Sequence, residues 1–269
     1  MKSLSTGKMW LFATGQFGWS LLSGLISNWL VYFYQPDEAS IAQGQILFIP
    51  QGLVILGIFT VIGGITAFGR LFDAFTDPWI AITMFQTGLP FFVTSLLKLP
   101  ETMTTIYFVG MTALSLVFYI PINKLAPELG KKKLILAAFA IFALSYLYTG
   151  FLGRVSVIPA NVQGLILMVV ASLPMAVFGI LPQAVVADIA QSDAKRTGSN
   201  REGMFYAART FAFKLGQSLS MLLFTAVSTI GSASGAGYRI AAFGAACFCF
   251  LGGIVFLFYN ERKINKDII

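Results

Sequence analysis

Between Val162 and Ala187 the chain reads VQGLILMVVASLPMAVFGILPQAVVA, without one charged side chain. As an α-helix this run is about 39 Å long, more than the roughly 30 Å hydrocarbon core of a bilayer. A β-barrel strand alternates apolar and polar residues over about ten positions, a pattern that the run does not follow. It therefore reads as a membrane-spanning helix. The rest of the chain repeats the message: 57% of its 269 residues are hydrophobic, 14% are aromatic and only 11% are charged, where a soluble domain has about 25%. Mean hydropathy is +0.80. The fold class is an all-α integral membrane protein.

Eight candidate spans follow, at about 9–34, 44–72, 79–97, 104–127, 134–152, 162–187, 204–231 and 238–259. The start, MKSLSTGKMWLF, continues into the first apolar run without a small-residue cleavage site, so it reads as a retained span. The connecting segments are short, and none has the length or polarity of a soluble domain. Segments on one side carry Lys2, Lys8, Lys124, Lys131, Lys132, Lys133, Lys195, Arg196, Arg201, Arg262, Lys263 and Lys266; those on the other carry only Lys98, Arg154 and Arg239. This positive-inside bias places both termini in the cytoplasm of a multi-pass plasma-membrane protein. It also accounts for the net charge of +7 without a nucleic-acid partner. The chain has no histidine, which excludes His-ligated zinc, Ser-His-Asp hydrolysis and imidazole acid–base catalysis. Cys247 and Cys249 lie in an apolar run and read as packing or lipid-facing residues.

Charges inside the spans are the functional signal. Arg70-Leu-Phe-Asp-Ala-Phe-Thr-Asp-Pro-Trp-Ile80 carries Asp73 and Asp77 four residues apart, on one face of a continuous helix, with Arg70 three residues before the first. Two carboxylates so close in low dielectric repel each other unless a cation compensates, so the trio is a candidate cation or proton site. The alternative is an Arg–Asp pair at a charged helix end. Lys214, deep in another span, would be best satisfied by Asp73 or Asp77. Because the following span reaches nearly 20 residues only if it starts near Trp79, the chain should reverse near Pro78 to Gln86 and draw both acids toward cytoplasmic water. A second cluster reads as loop and capping chemistry: Asp188 ends one helix, a polar basic turn follows through Arg201, and Glu202 opens the next helix.

Two of these stretches, GRLFDAFTDP at 69–78 and the run from Leu181 to Gln217, resemble the glycoside-pentoside-hexuronide:cation symporters, relatives of melibiose permease in the major facilitator superfamily. In the second stretch the matching positions are Pro182, Asp188, Thr197-Gly198, Arg201-Glu202-Gly203, Phe205-Tyr206 and Lys214-Leu215-Gly216. FGW from Phe17, VYFY from Val31 and the GKKK segment at Gly130–Lys133 also fit. The resemblance implies secondary transport of a small sugar with Na⁺ or H⁺, with no other cofactor and no enzymatic activity. It implies cation ligation by Asp73 and Asp77, with Arg70 and Lys214 as partners of that site. It points to Trp19, Ser20 and Tyr206 at the substrate, Ser20 standing where the sugar permeases carry an acid, and to Asp188, Arg201 and Glu202 in a cytoplasmic gating loop. A full major facilitator has twelve helices in two halves. By its motifs this chain carries family helices one and two in residues 1–80, followed directly by helices seven to twelve in 81–269. The fold implied is a partial major facilitator with a nearly complete C-terminal six-helix half. An alternative is a non-transporting remnant that binds or assembles; an intramembrane Mg²⁺-dependent transferase is a remote one, short of acidic ligands within the spans.

Overall fold

The computed structural model describes residues 78–268 apart from 155, 232 and 233, and all of the regular structure there is helical. α1 runs Pro78–Phe91 and continues as a π-helical turn, Phe92–Leu96; α2 is Glu101–Leu129, α3 Lys131–Phe151, α4 Ala160–Thr197, α5 Glu202–Ser228, α6 Ala236–Leu257 and α7 Glu261–Ile268. Five of these, α2 to α6, are long and apolar enough to cross a membrane; the apolar part of α1 is shorter. The six expected spans that fall in this region are all helices, and the first two lie outside the described residues. Consecutive spans run antiparallel, so α1, α3 and α5 point one way and α2, α4 and α6 the other.

Three expectations change. No reversal lies within Pro78–Gln86, because that stretch is the opening of α1. Proline suits the first helical position: its missing N–H is one that no helix partner would use. Asp188 does not end its helix, since α4 continues to Thr197 and stops at Gly198, which takes the left-handed conformation at φ +70. Lys131, Lys132 and Lys133 form the first turn of α3 rather than a connecting turn, which reduces to Gly130.

α1 is the hub. Ala81, Ile82, Phe85, Leu89, Phe92 and Val93 are each no more than 3% exposed, as befits a helix that is apolar almost all round. Phe85 meets Phe142 and Tyr146 of α3 at ring-centre distances of 5.5 and 5.7 Å, and the Tyr146 hydroxyl donates to the Ala81 carbonyl. On another side, Phe91 and Phe92 meet Phe224 of α5 at 5.5 and 6.1 Å. α3 and α6 close together through small residues: Gly150 admits the Phe243 ring and Gly253 faces Phe139, the usual device where lipid offers no hydrophobic drive to association. Of the cysteines, Cys249 packs in this core and Cys247 is exposed.

Those aromatic contacts also set heights along the bundle. If Phe85 is level with the midpoint of Phe142 and Tyr146, Pro78 begins about 9 Å inside the plane of Lys131 at 1.5 Å per residue. If Phe224 is level with the Phe91–Phe92 turn, Lys214 sits near residue 81 or 82, about 14 Å inside that plane. Pro78 thus lies deeper along the bundle than Lys131.

Candidate transport site

α1 has a polar line as well as an aromatic one. Thr83, Thr87 and Thr94 recur at helical spacing on the face turned away from Phe85 and Phe92. Thr94 donates to the Pro90 carbonyl at 2.8 Å. The Thr87 hydroxyl is fully buried and has no hydrogen-bond partner, a state that costs about 1–3 kcal/mol until a ligand or water satisfies it. The line lies beside two irregularities. Pro90 has no N–H to return to the Gln86 carbonyl, and the helix then loosens into the π turn, where Leu97 N–H reaches back to the Phe92 carbonyl at 3.1 Å. Such π turns concentrate at functional sites.

α5 carries the matching line. Tyr206, Thr210, Lys214 and Ser218, four residues apart, are all exposed. α2 and α5 are the least buried spans, each 28% buried over its most apolar stretch. The exposed residues of α2 include Ile106, Val109, Val117 and Ile120, which suit lipid; a lysine among hydroxyls does not. With 100° between residues on two parallel helices that touch through Phe91, Phe92 and Phe224, the polar lines of α1 and α5 point to the same side of the pair. By the heights above, Ser218 is level with Phe85, between Thr83 and Thr87, and Lys214 is within about 3 Å of the height of Thr83, toward the Lys131 end. The hydroxyls and the ammonium of α5 therefore line one exposed face near mid-depth, and the threonines Thr83 and Thr87 of α1 are buried on the same side of the pair. The Lys214 amine lies 5.3 Å from the centre of the Phe213 ring, within cation–π range.

This chemistry suits a polyol: hydroxyls both donate and accept, and an ammonium donates up to three bonds. The structure keeps Lys214 and Tyr206 on this face but leaves Tyr206 near the Lys131 end. Asp73, Asp77, Arg70, Ser20 and Trp19 lie outside the described residues. No group of three or more metal-ligating side chains occurs among the described residues. Sequence reasoning passed over Thr83 and Thr87, whose signal was their spacing within an apolar run.

The residues expected in a gating loop, Asp188, Arg201 and Glu202, lie at the Lys131 end. Arg201 pairs with Asp193 at 3.0 Å, and the Asn200 side chain accepts from the Glu202 backbone N–H at 3.1 Å, capping α5. Asp188 pairs with the Lys131 ammonium. Glu261, at the head of α7, accepts from the backbone N–H groups of Lys131 at 2.7 Å and Lys132 at 3.1 Å, an anion on the N-terminus of α3. Lys132 returns the favour by donating to the carbonyls of Leu257 and Tyr259, both at 2.6 Å, a cation at the end of α6. Both placements match the helix dipoles. Burial, then Asp188 and Glu261, pushes the Tyr259 phenol up to about 12. Glu261→Ala should cost about 1–2 kcal/mol, the loss typical of a cap; thermal unfolding of the variant in detergent checks this, and an unchanged midpoint would refute the capping role.

A model of the family described as MFS/sugar transport protein matches residues 78–243, from the first residue of α1 into α6. The match covers more than half of the chain. The chain belongs to this family. It is a multi-pass membrane protein of the major facilitator superfamily, a transporter rather than an enzyme by family. The matched region includes both polar lines and excludes Asp73 and Asp77. No curated protein and no solved structure matches the chain.

Proposed function

We propose that the chain carries a small sugar across the plasma membrane together with Na⁺ or H⁺, as a glycoside-pentoside-hexuronide:cation symporter that lacks family helices three to six, with both termini in the cytoplasm. The observation that carries this reading is Lys214 among hydroxyls near mid-depth of a sugar-transport family bundle. A cation there needs an anion or water opposite it. Asp77 immediately precedes Pro78, the residue that starts α1 near the height of Lys214, and Asp73 lies one helical turn earlier in sequence. In this reading the acids bind the coupling ion, Arg70 and Lys214 balance them when it leaves, and the threonines of α1 with Tyr206, Ser20 and Trp19 hold sugar hydroxyls.

The test is uptake of labelled glycosides, pentosides and hexuronides into vesicles, driven by a Na⁺ or proton gradient. Asp73→Asn and Asp77→Asn should each lower gradient-driven uptake at least about tenfold, because each removes a charge from an intramembrane site. Undiminished uptake in both would sink the coupling assignment. One observation favours the second reading, a non-transporting remnant: a cavity of about 10 Å³ lined by Phe85, Phe92, Tyr107 and Met111 is apolar and admits no more than a water. That cavity is too small for a sugar. Folded, well-expressed protein with no uptake of any of the three sugar classes would favour the remnant.

A further inference from the structure

We infer that the surface formed by the end of α6, the short helix α7 and the first turn of α3 is a binding site for the headgroup of an anionic phospholipid. The knot around Glu261 fixes α7 in place. Its carboxylate holds the first amides of α3, and Lys132 holds the last carbonyls of α6, so α7 cannot swing away from the plane where those two spans end. α7 also packs on α4, with Ile264 half-buried, while Arg262 and Lys266, four residues apart, are exposed on one side of it.

The charges at this end divide into two groups. Lys131 and Lys132 are committed, one to Asp188 and the other to backbone carbonyls. Lys133, Arg262 and Lys266 are exposed, and none has a described partner. Glu261 is spent on amides and Asp188 on Lys131, which leaves exposed Glu128 at the end of α2 and, in the sequence of α7, Asp267. Three exposed cations thus stand on α3 and α7, the two elements that the Glu261 hydrogen bonds hold together.

Phe258 indicates a lipid rather than a soluble anion. It follows α6 directly and is 85% exposed, and the neighbouring Leu257 is 54% exposed. An aromatic side chain at that level belongs at the boundary between headgroups and acyl chains. Arg262 comes four residues later, in the first turn of α7, and is exposed to meet a phosphate. Apolar anchor below and cations above give the polarity of one anionic phospholipid, and basic residues just outside a span attract such headgroups.

The full chain, reconstituted in phosphatidylcholine vesicles with and without phosphatidylglycerol, provides the test. Native mass spectrometry after detergent extraction counts retained phosphatidylglycerol, and thermal unfolding reports its stabilising effect. The native chain should retain the anionic lipid and unfold at a higher temperature with it. Arg262→Gln and Lys266→Gln should each lower retention about fivefold, and Phe258→Ala should lower it while leaving the response to soluble glycerol phosphate unchanged. Equal retention in the Arg262→Gln/Lys266→Gln double variant and the native chain would overturn the site. An equal stabilisation by glycerol phosphate alone would overturn the choice of lipid. Neither readout requires transport, so a flat uptake assay leaves this test intact.

Discussion

Gly153→Ala should unfold at a far lower temperature than any other single glycine-to-alanine change at the surface of this bundle. Two effects coincide at Gly153. Its φ is +72, in the left-handed region, and an added Cβ would overlap the Leu96 carbonyl oxygen, a backbone atom that cannot rotate away. Two other glycines separate these effects. Gly198 has φ +70 with nothing near its missing Cβ, so Gly198→Ala pays conformational strain alone, about 1–2 kcal/mol. Gly244 is helical with open space around it, so Gly244→Ala should stabilise α6 by about 0.5–1 kcal/mol. Gly153→Ala should exceed about 4 kcal/mol, a loss that signals backbone displacement rather than a missing contact. Thermal unfolding of the four proteins in detergent should therefore rank Gly244→Ala at or above native, Gly198→Ala below, and Gly153→Ala last by a wide margin. A Gly153→Ala midpoint equal to that of Gly198→Ala would show that the Leu96 contact is not maintained.

The clash matters because Leu96 closes the π turn of α1. A shift there moves the polar line as well as the loop. That end of the bundle is held mainly by polar groups: the Gln163 side chain accepts from the Gly153 N–H at 3.0 Å and donates to the Ile158 carbonyl at 2.7 Å, and Arg239 donates to the Gly150 carbonyl at 2.6 Å. These contacts order the connection between α3 and α4, and through Leu96 they brace the top of α1.

Hydropathy made the spans legible because each apolar run is a physical transfer problem that one helix solves. α2 and α3 depart from the expected limits by two or three residues at most. The failures have local causes. α4 outlasts its apolar run because Ala187, Ala190, Gln191, Ala194 and Lys195 favour helix in water as well as in lipid, and Gly198 gives the stop signal. α7 left no mark in hydropathy: it has 8 residues, and its anchor is a pair of hydrogen bonds that Glu261 accepts from amides some 130 positions earlier. The motif stretch at 69–78 marks a cluster of charges in the sequence, but a single chain position carries no height. Only the packing of Phe85 on α3 and of Phe224 on α1 places the opening of α1 within about one turn of Lys214 in height, and with that the threonines of α1 come into consideration.

Lys214→Met should abolish coupled transport while leaving the fold in place, and the separation of the two effects is the point of the substitution. Lys214 is exposed and touches Phe213 on its own helix, so methionine, of similar length and fully apolar, removes no core contact and relieves a charge within the bilayer. Stability in detergent should stay the same or rise. If the ammonium balances the acids before α1 when the coupling ion is absent, its loss leaves them uncompensated, a penalty of about 2–5 kcal/mol for a charge pair broken in low dielectric. That corresponds to a loss of roughly thirtyfold or more in gradient-driven uptake. Lys214→Arg keeps the charge but exchanges a compact ammonium for a planar fork, so it should retain part of the uptake and shift the cation concentration that half-saturates it. Parallel uptake and unfolding measurements decide between the roles. A Met variant that is stable and inactive places Lys214 in the transport cycle. One that is stable and fully active would mean that the polar face of α5 meets only water, and the ion site would then have to be sought without it.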